Sequence, residues 1–321
     1  MDIALNILPV FLVIFLGAGA KRLAFFPDIF VKGANRLVFY IGIPALLFIK
    51  LSSAPFHETF DINLALISSL SVFIVWLFSL VFVRLKLFST LGSASAASFV
   101  QTSMHGNIGY IGFAVVFYSL GNNGLSIASF LAPFIIIPQN ILSVLSFNIH
   151  SATKRKKIKS FITMLKSIFL NPIIISALFG IAFSFFGLKL PNFLDRFLEI
   201  VSGMALPMAL LIIGASLSMS AMSNSLYWLF SSSLLKLLFL PGLGVVLLHN
   251  AGVHPFPIEV AAILLGAPTA TVSVIMSSEM EGDVKFASTA VTLSTLLSLF
   301  SLSLWSYLIG FCINQIFYQI F

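Results

Sequence analysis

Charge is what this sequence has least of. Asp, Glu, Lys and Arg make up only 8% of its 321 residues, against roughly 25% in a soluble domain. A chain so poor in charge cannot clothe a water-facing surface, and 59% hydrophobic residues with a mean hydropathy of +1.10 identify its solvent as a bilayer. Cysteine is nearly absent too. The single Cys312 excludes an internal disulfide and a thiolate metal site, so no metal and no cofactor are expected. Catalytic inventory is missing as well, since no span holds a pair of aspartates, a G-x-S-x-G elbow or an H-E-x-x-H pair. That excludes an intramembrane enzyme. The N-terminus lacks the basic region of a cleaved signal peptide, with Asp2 in its place and Lys21 and Arg22 after the apolar run. It reads as a retained first span.

What is present is a series of apolar windows, near 4–20, 35–50, 62–83, 92–118, 125–148, 167–187, 196–218, 226–248, 257–278 and 286–310. The net charge of +7 sits in short loops between them, which is topology information and no sign of nucleic-acid binding. Odd-numbered loops hold thirteen Lys and Arg residues and even-numbered loops three, Lys50, Lys189 and Arg196. Ten spans with both termini outside the cytoplasm follow, in a multi-pass protein of the cell (inner) membrane. The basic run "TKRKKIKS" (153–160) marks a cytoplasmic linker, 151–165, between two five-span halves, 1–150 and 166–321. An odd number of spans per half requires the halves to be inverted. Proline spacing supports a repeat, because Pro9 to Pro44 and Pro172 to Pro207 are both 35 residues, and Pro44 to Pro207 is 163. The same offset carries Asn107 onto Ala270.

Those two positions lie in interrupted spans. "QTSMHGNIGYIG" (101–112) and "GAPTATVSV" (266–274) put glycine, proline and polar residues where lipid-buried helix is expected. Irregular backbone at membrane depth survives only inside protein or beside a wet cavity. Both spans are therefore expected to unwind, near 105–109 and 267–271, and to meet at a site for an anionic solute, held by half-helix ends and their free N–H groups. The candidate binding residues are Gln101, His105, Gly106, Asn107 and Ile108 in the first break, and Pro268, Thr269, Ala270, Thr271 and Ser273 in the second. The competing reading is helix packing through small and hydroxyl residues. His105 and Lys236, an ionisable residue deep in span 8, are candidates for coupling. A satisfied core histidine and structural pairing of the lysine compete with that. Ser143, in span 5, is expected outside the crossing. Glu199 and Glu259, near span ends, offer no cation site.

Taken in order, "PALLF" (44–48), "NIGYIG" (107–112), "LPMALLIIGASLS" (206–218), "KLLFLPGL" (236–243) and "GAPTATVSVIM" with "STAVTLSTLLSL" (266–276, 288–299) resemble the auxin efflux carrier family, bacterial permeases included, along essentially the whole chain. The resemblance implies an all-α polytopic membrane protein, ten helices in two inverted five-helix repeats. It further implies panel and core domains related to the bile acid/sodium symporter fold, with spans 4 and 9 crossing at the substrate. It implies transport of organic anions such as auxin, malate or malonate. Two positions depart from the family pattern. Ala114 stands where a proline usually follows the glycine motif, and no acidic residue lies at the span 9 crossing, so a sodium site is not implied. The expected function is a secondary carrier for small organic anions working by alternating access, with an anion channel as the alternative. The expected partners are the anion and the lipid bilayer, with proton coupling and a homodimer left open.

Overall fold

The computed structural model describes residues 2–85, 91–150, 170–217 and 226–320. The basic linker 151–165 lies outside them. In hydrocarbon every backbone N–H and C=O needs a partner, and helices satisfy nearly all of theirs locally. The described elements are accordingly helical: α1 (Asp2–Arg22), α2 (Asp28–Leu37), α3 (Ile43–Ser53), α4 (Phe56–Thr59), α5 (Ile62–Arg84), α6 (Ser93–Thr102) and α7 (Phe113–His150) in the first half. In the second come α8 (Pro172–Phe185), α9 (Asn192–Gly203), α10 (Ala205–Ser216), α11 (Leu226–Leu234), α12 (Leu240–Asn250), α13 (Pro255–Gly266), α14 (Val272–Glu279) and α15 (Val284–Ile320). Among the described residues six stretches are long and apolar enough to cross a bilayer unaided, and two shorter apolar helices, α8 and α13, accompany them. This is an all-α polytopic membrane protein.

Local chemistry places the helix ends. Asp61 caps α5 by accepting from the amides of Asn63 and Leu64, and Asn171 caps α8 through Ile173 N, with Pro172 in the first turn. α7 is two helices joined at Gly121, whose φ of 68° favours glycine and separates windows 4 and 5. Two windows begin earlier than hydropathy indicates. α2 starts at Asp28 and α9 at Asn192, so Lys32, Arg36 and Arg196 ride on amphipathic helix turns instead of loops. A hydropathy window averages such turns away because one face is charged.

Tight helix pairs build the frame. α1 packs along α10, where a side chain on Gly17 would strike the Leu211 carbonyl, and one on Gly214 the Ile14 carbonyl and Ala18 amide. α3 packs along α8, where a side chain on Gly180 would meet the Phe48 carbonyl. Gly17 and Gly180, and Phe48 and Leu211, are each 163 positions apart. So are Gly42 and Ala205, which touch each other. Outward faces carry large apolar side chains such as Leu16, Phe78, Phe179 and Phe300. At the centre lie two continuously buried segments, 96–108 and 258–270.

Candidate functional site

Both central segments are broken helices. α6 ends where hydroxyls take over backbone acceptors: Ser103 Oγ and Thr102 Oγ1 both donate to Phe99 O. Residues 103–107 are non-helical, and the chain re-enters helix through a π turn, Ile108–Gly112. The break thus lies two residues earlier than 105–109, because Asn107 starts the new helix. Its Oδ1 accepts from Tyr110 N at 3.3 Å and its carbonyl from both Ile111 N and Gly112 N. Its φ of −81° and ψ of 67° form an inverse γ-turn closed by Ile108 N and Gly106 O. In the second span α13 ends at Gly266, Pro268 brings no N–H, and residues 267–271 are non-helical, where the sequence placed them.

The two breaks hold each other by backbone. Gly106 and Thr269 form an isolated antiparallel bridge, with Asn107 N donating to Pro268 O at 2.7 Å and Ala270 N to His105 O at 3.0 Å. Gly106 and Thr269 are 163 positions apart, and that offset exchanges the two hydrogen bonds. Thr269 is fixed further, its Oγ1 donating to Thr102 O and its N to Ser294 Oγ. These bonds correct one expectation. Amides at Asn107, Thr269 and Ala270 are already engaged, so these three are not what the crossing offers an anion. Among the candidate residues, what stays unpartnered and buried is Asn107 Nδ2, Ser273 Oγ and Gln101 Oε1.

The remaining candidates fall around this bridge. Gln101 reaches across to the second broken span through Met276 Sδ. Ile108 and Ala270 are buried apolar walls, and Thr271 is half-buried before α14. His105 Nδ1 lies 2.8 Å from Ser143 Oγ. That hydroxyl gives its only proton to Gln139 O, so the ring nitrogen is the donor. Gln139 Nε2 in turn holds Met104 O. His105 is therefore a satisfied core histidine on its Nδ1 side, and Ser143 belongs to the crossing's support instead of lying outside it. Ser294, Gln139 and Met276 were not singled out by sequence. The serine-rich "STLLSLF" (294–300) was the only signal for the first of them.

Lys236 points inward. It is fully buried on a second π turn, Leu235–Phe239, and its amine donates to Leu265 O in the last turn of α13. A Cβ on Gly106 would lie 2.9 Å from both Lys236 Cε and Nζ, so glycine is needed for the amine to reach the bridge. Ala114 stands two residues beyond the Ile108–Gly112 turn, the place Pro241 takes after Leu235–Phe239 and Pro44 after a third π turn, Val38–Gly42. The Asn107 carbonyl keeps the turn formed without proline.

Relatives place this geometry in context. The chain is 23% identical to an uncharacterized transporter of Methanocaldococcus jannaschii, covering 96% of this chain and 98% of that one. It is 26% identical to a putative malonate transporter of Rhizobium meliloti, over 94% of each chain. An uncharacterized transporter of Methanothermobacter thermautotrophicus is 25% identical, over 94% of this chain and 96% of its own. The family described as membrane transport protein matches residues 2–306. With nearly the whole chain matched and the broken helices where the motifs put them, this protein belongs to the membrane transport protein family, the auxin efflux carriers, which are transporters and not enzymes.

Proposed function

We propose that this membrane transporter is a secondary carrier for small organic anions, with ten crossings in two inverted halves, 1–150 and 166–321, and the substrate held where spans 4 and 9 cross. The observation that carries this reading is the buried bridge Gly106–Thr269, which pairs residues 163 positions apart about a local two-fold. Broken helices meeting in inverted halves are the arrangement that alternating access uses around a fixed site. Burial of 96–108 and 258–270 supports a carrier over a channel, since a standing pore would leave part of the crossing wet. Three groups recognise the anion: Asn107 Nδ2, Ser273 Oγ and the nearby Lys236 amine. The name of the Rhizobium meliloti relative makes malonate the first probe.

The test is uptake of malonate, malate and succinate by reconstituted proteoliposomes. Saturable uptake accelerated by anion on the opposite side is expected. Unsaturated, ohmic conductance would identify a channel, and no flux of any of the three would remove the dicarboxylate reading.

A further inference from the structure

Lys236 is fully buried at this crossing without an acidic partner, and the frame does not explain it. Among the described residues the ion pair is Lys21–Asp28, far from it in sequence. Its amine meets Leu265 O, where the last carbonyls of α13 supply only the partial negative charge of a helix C-terminus. At the position 163 residues earlier stands Phe73, half-exposed on α5, so the lysine has no counterpart in the other half. It lies against Gly106, one residue from the unpartnered Asn107 Nδ2.

From this we infer that the Lys236 amine is the counter-charge of the transported anion, so that one proton travels with each anion; the inference rests on the carrier reading above and deepens it. A buried ammonium without a full negative charge is costly, and so is a buried carboxylate without a positive one. Each stabilises the other, and the coupling is reciprocal: anion in the site favours the proton on Lys236, and the proton favours the anion. The balance is simple. Lys236 takes one proton from water on the side where the anion is captured and returns it to water where the anion leaves, with no bond made or broken besides N–H. The elements packed against its π turn are α5, α11, α12, α13 and α15. Their titratable residues are Arg84, Tyr227, His249, Glu259, Lys285 and Tyr307, with Cys312 and Tyr318 further along α15, and they sit toward helix or span ends. From the first break the titratable group is His105, next in sequence to the Gly106 that lies against the amine. Its Nδ1 proton is committed to Ser143, so a further proton would have to enter at Nε2, and the amine set against Gly106 at the bridge is the group assigned to carry it.

The experiment uses full-length protein in proteoliposomes, with whichever of malonate, malate or succinate the wild type carries, radiolabelled, and a pH dye inside. One proton should enter per anion, and apparent affinity should weaken by up to about tenfold per pH unit above the range where the probe itself titrates. Lys236→Gln should flatten that pH profile, abolish acidification and lower uptake at least about tenfold. Lys236→Arg, permanently charged, should keep anion exchange across the membrane while net uptake falls by a similar factor, because the empty carrier cannot discharge. A wild-type ratio of no protons per anion overturns the inference whether or not the variants fold. An unchanged ratio and pH profile in Lys236→Gln overturns it too, while uptake itself would leave the carrier reading standing. Absence of any uptake by wild type fails the carrier reading and the inference with it.

Discussion

At the scale of single residues, Asn107 does two jobs that can be separated. Its Oδ1 caps the helix that follows, and its Nδ2 is left without a partner. Asn107→Asp keeps the cap and removes the donor, so the fold should persist while anion binding suffers. A hydrogen bond to a charged group contributes about 1.5–3 kcal/mol, which is roughly 10- to 150-fold in affinity. Dicarboxylate protection against thermal unfolding in detergent measures it, with Ser53→Ala as control, since Ser53 bonds only the Ile49 carbonyl of its own helix. Equal protection in Asn107→Asp and wild type would remove this side chain from the site. Asn107, Gly106 and Lys236 were legible in the sequence because polar and glycine residues stand out in an apolar run. Ser143 and Ser294 were not. A membrane-helix serine normally satisfies itself on a carbonyl one turn back, and nothing local reveals that Ser143 also meets a histidine 38 positions away.

At the scale of elements, prolines explain two of the three π turns. A proline cannot donate to the carbonyl four residues back and its ring crowds that carbonyl, so the preceding turn relaxes to the wider register. Pro44 does this to Tyr40 and Pro241 to Leu237. The Leu237 carbonyl is then recovered by Trp305 Nε1 at 2.9 Å. Proline positions were readable in sequence. The π turns and the tryptophan that completes one were not, because they depend on how a neighbouring helix fills the gap. Helix pairing depends on close approach, and there a sharp outcome is expected. Any side chain at Gly214 falls on the backbone of α1, so Gly214→Val should push α1 and α10 apart and cost about 1–3 kcal/mol or more. Gly19→Ala, which meets nothing within 4 Å, should leave the thermal midpoint level or raise it slightly. Equal midpoints for Gly214→Val and wild type would contradict the packing described for these helices.

At the scale of the whole molecule, the uneven distribution of Lys and Arg makes the orientation expected from sequence testable. In a Cys312→Ser background, Lys189→Cys should react with a membrane-impermeant maleimide added outside intact cells, and Lys285→Cys only after lysis. The reverse pattern would invert the topology proposed from the loop charges. Membrane residence, the two breaks and their offset were all present in the sequence as composition and spacing. How the breaks grip each other was not, because a bridge between Gly106 and Thr269 is a tertiary event written in backbone atoms. That last feature bears on ancestry. Its two hydrogen bonds ask nothing of side chains and swap places when the halves are exchanged. On the proposed division into inverted halves, a half-length chain inserted in both orientations would meet its inverted copy with each break residue facing itself, and would already own the crossing. Gene duplication and fusion then adds only connection, and leaves each half free to acquire what the other lacks, as Lys236 opposite Phe73 illustrates.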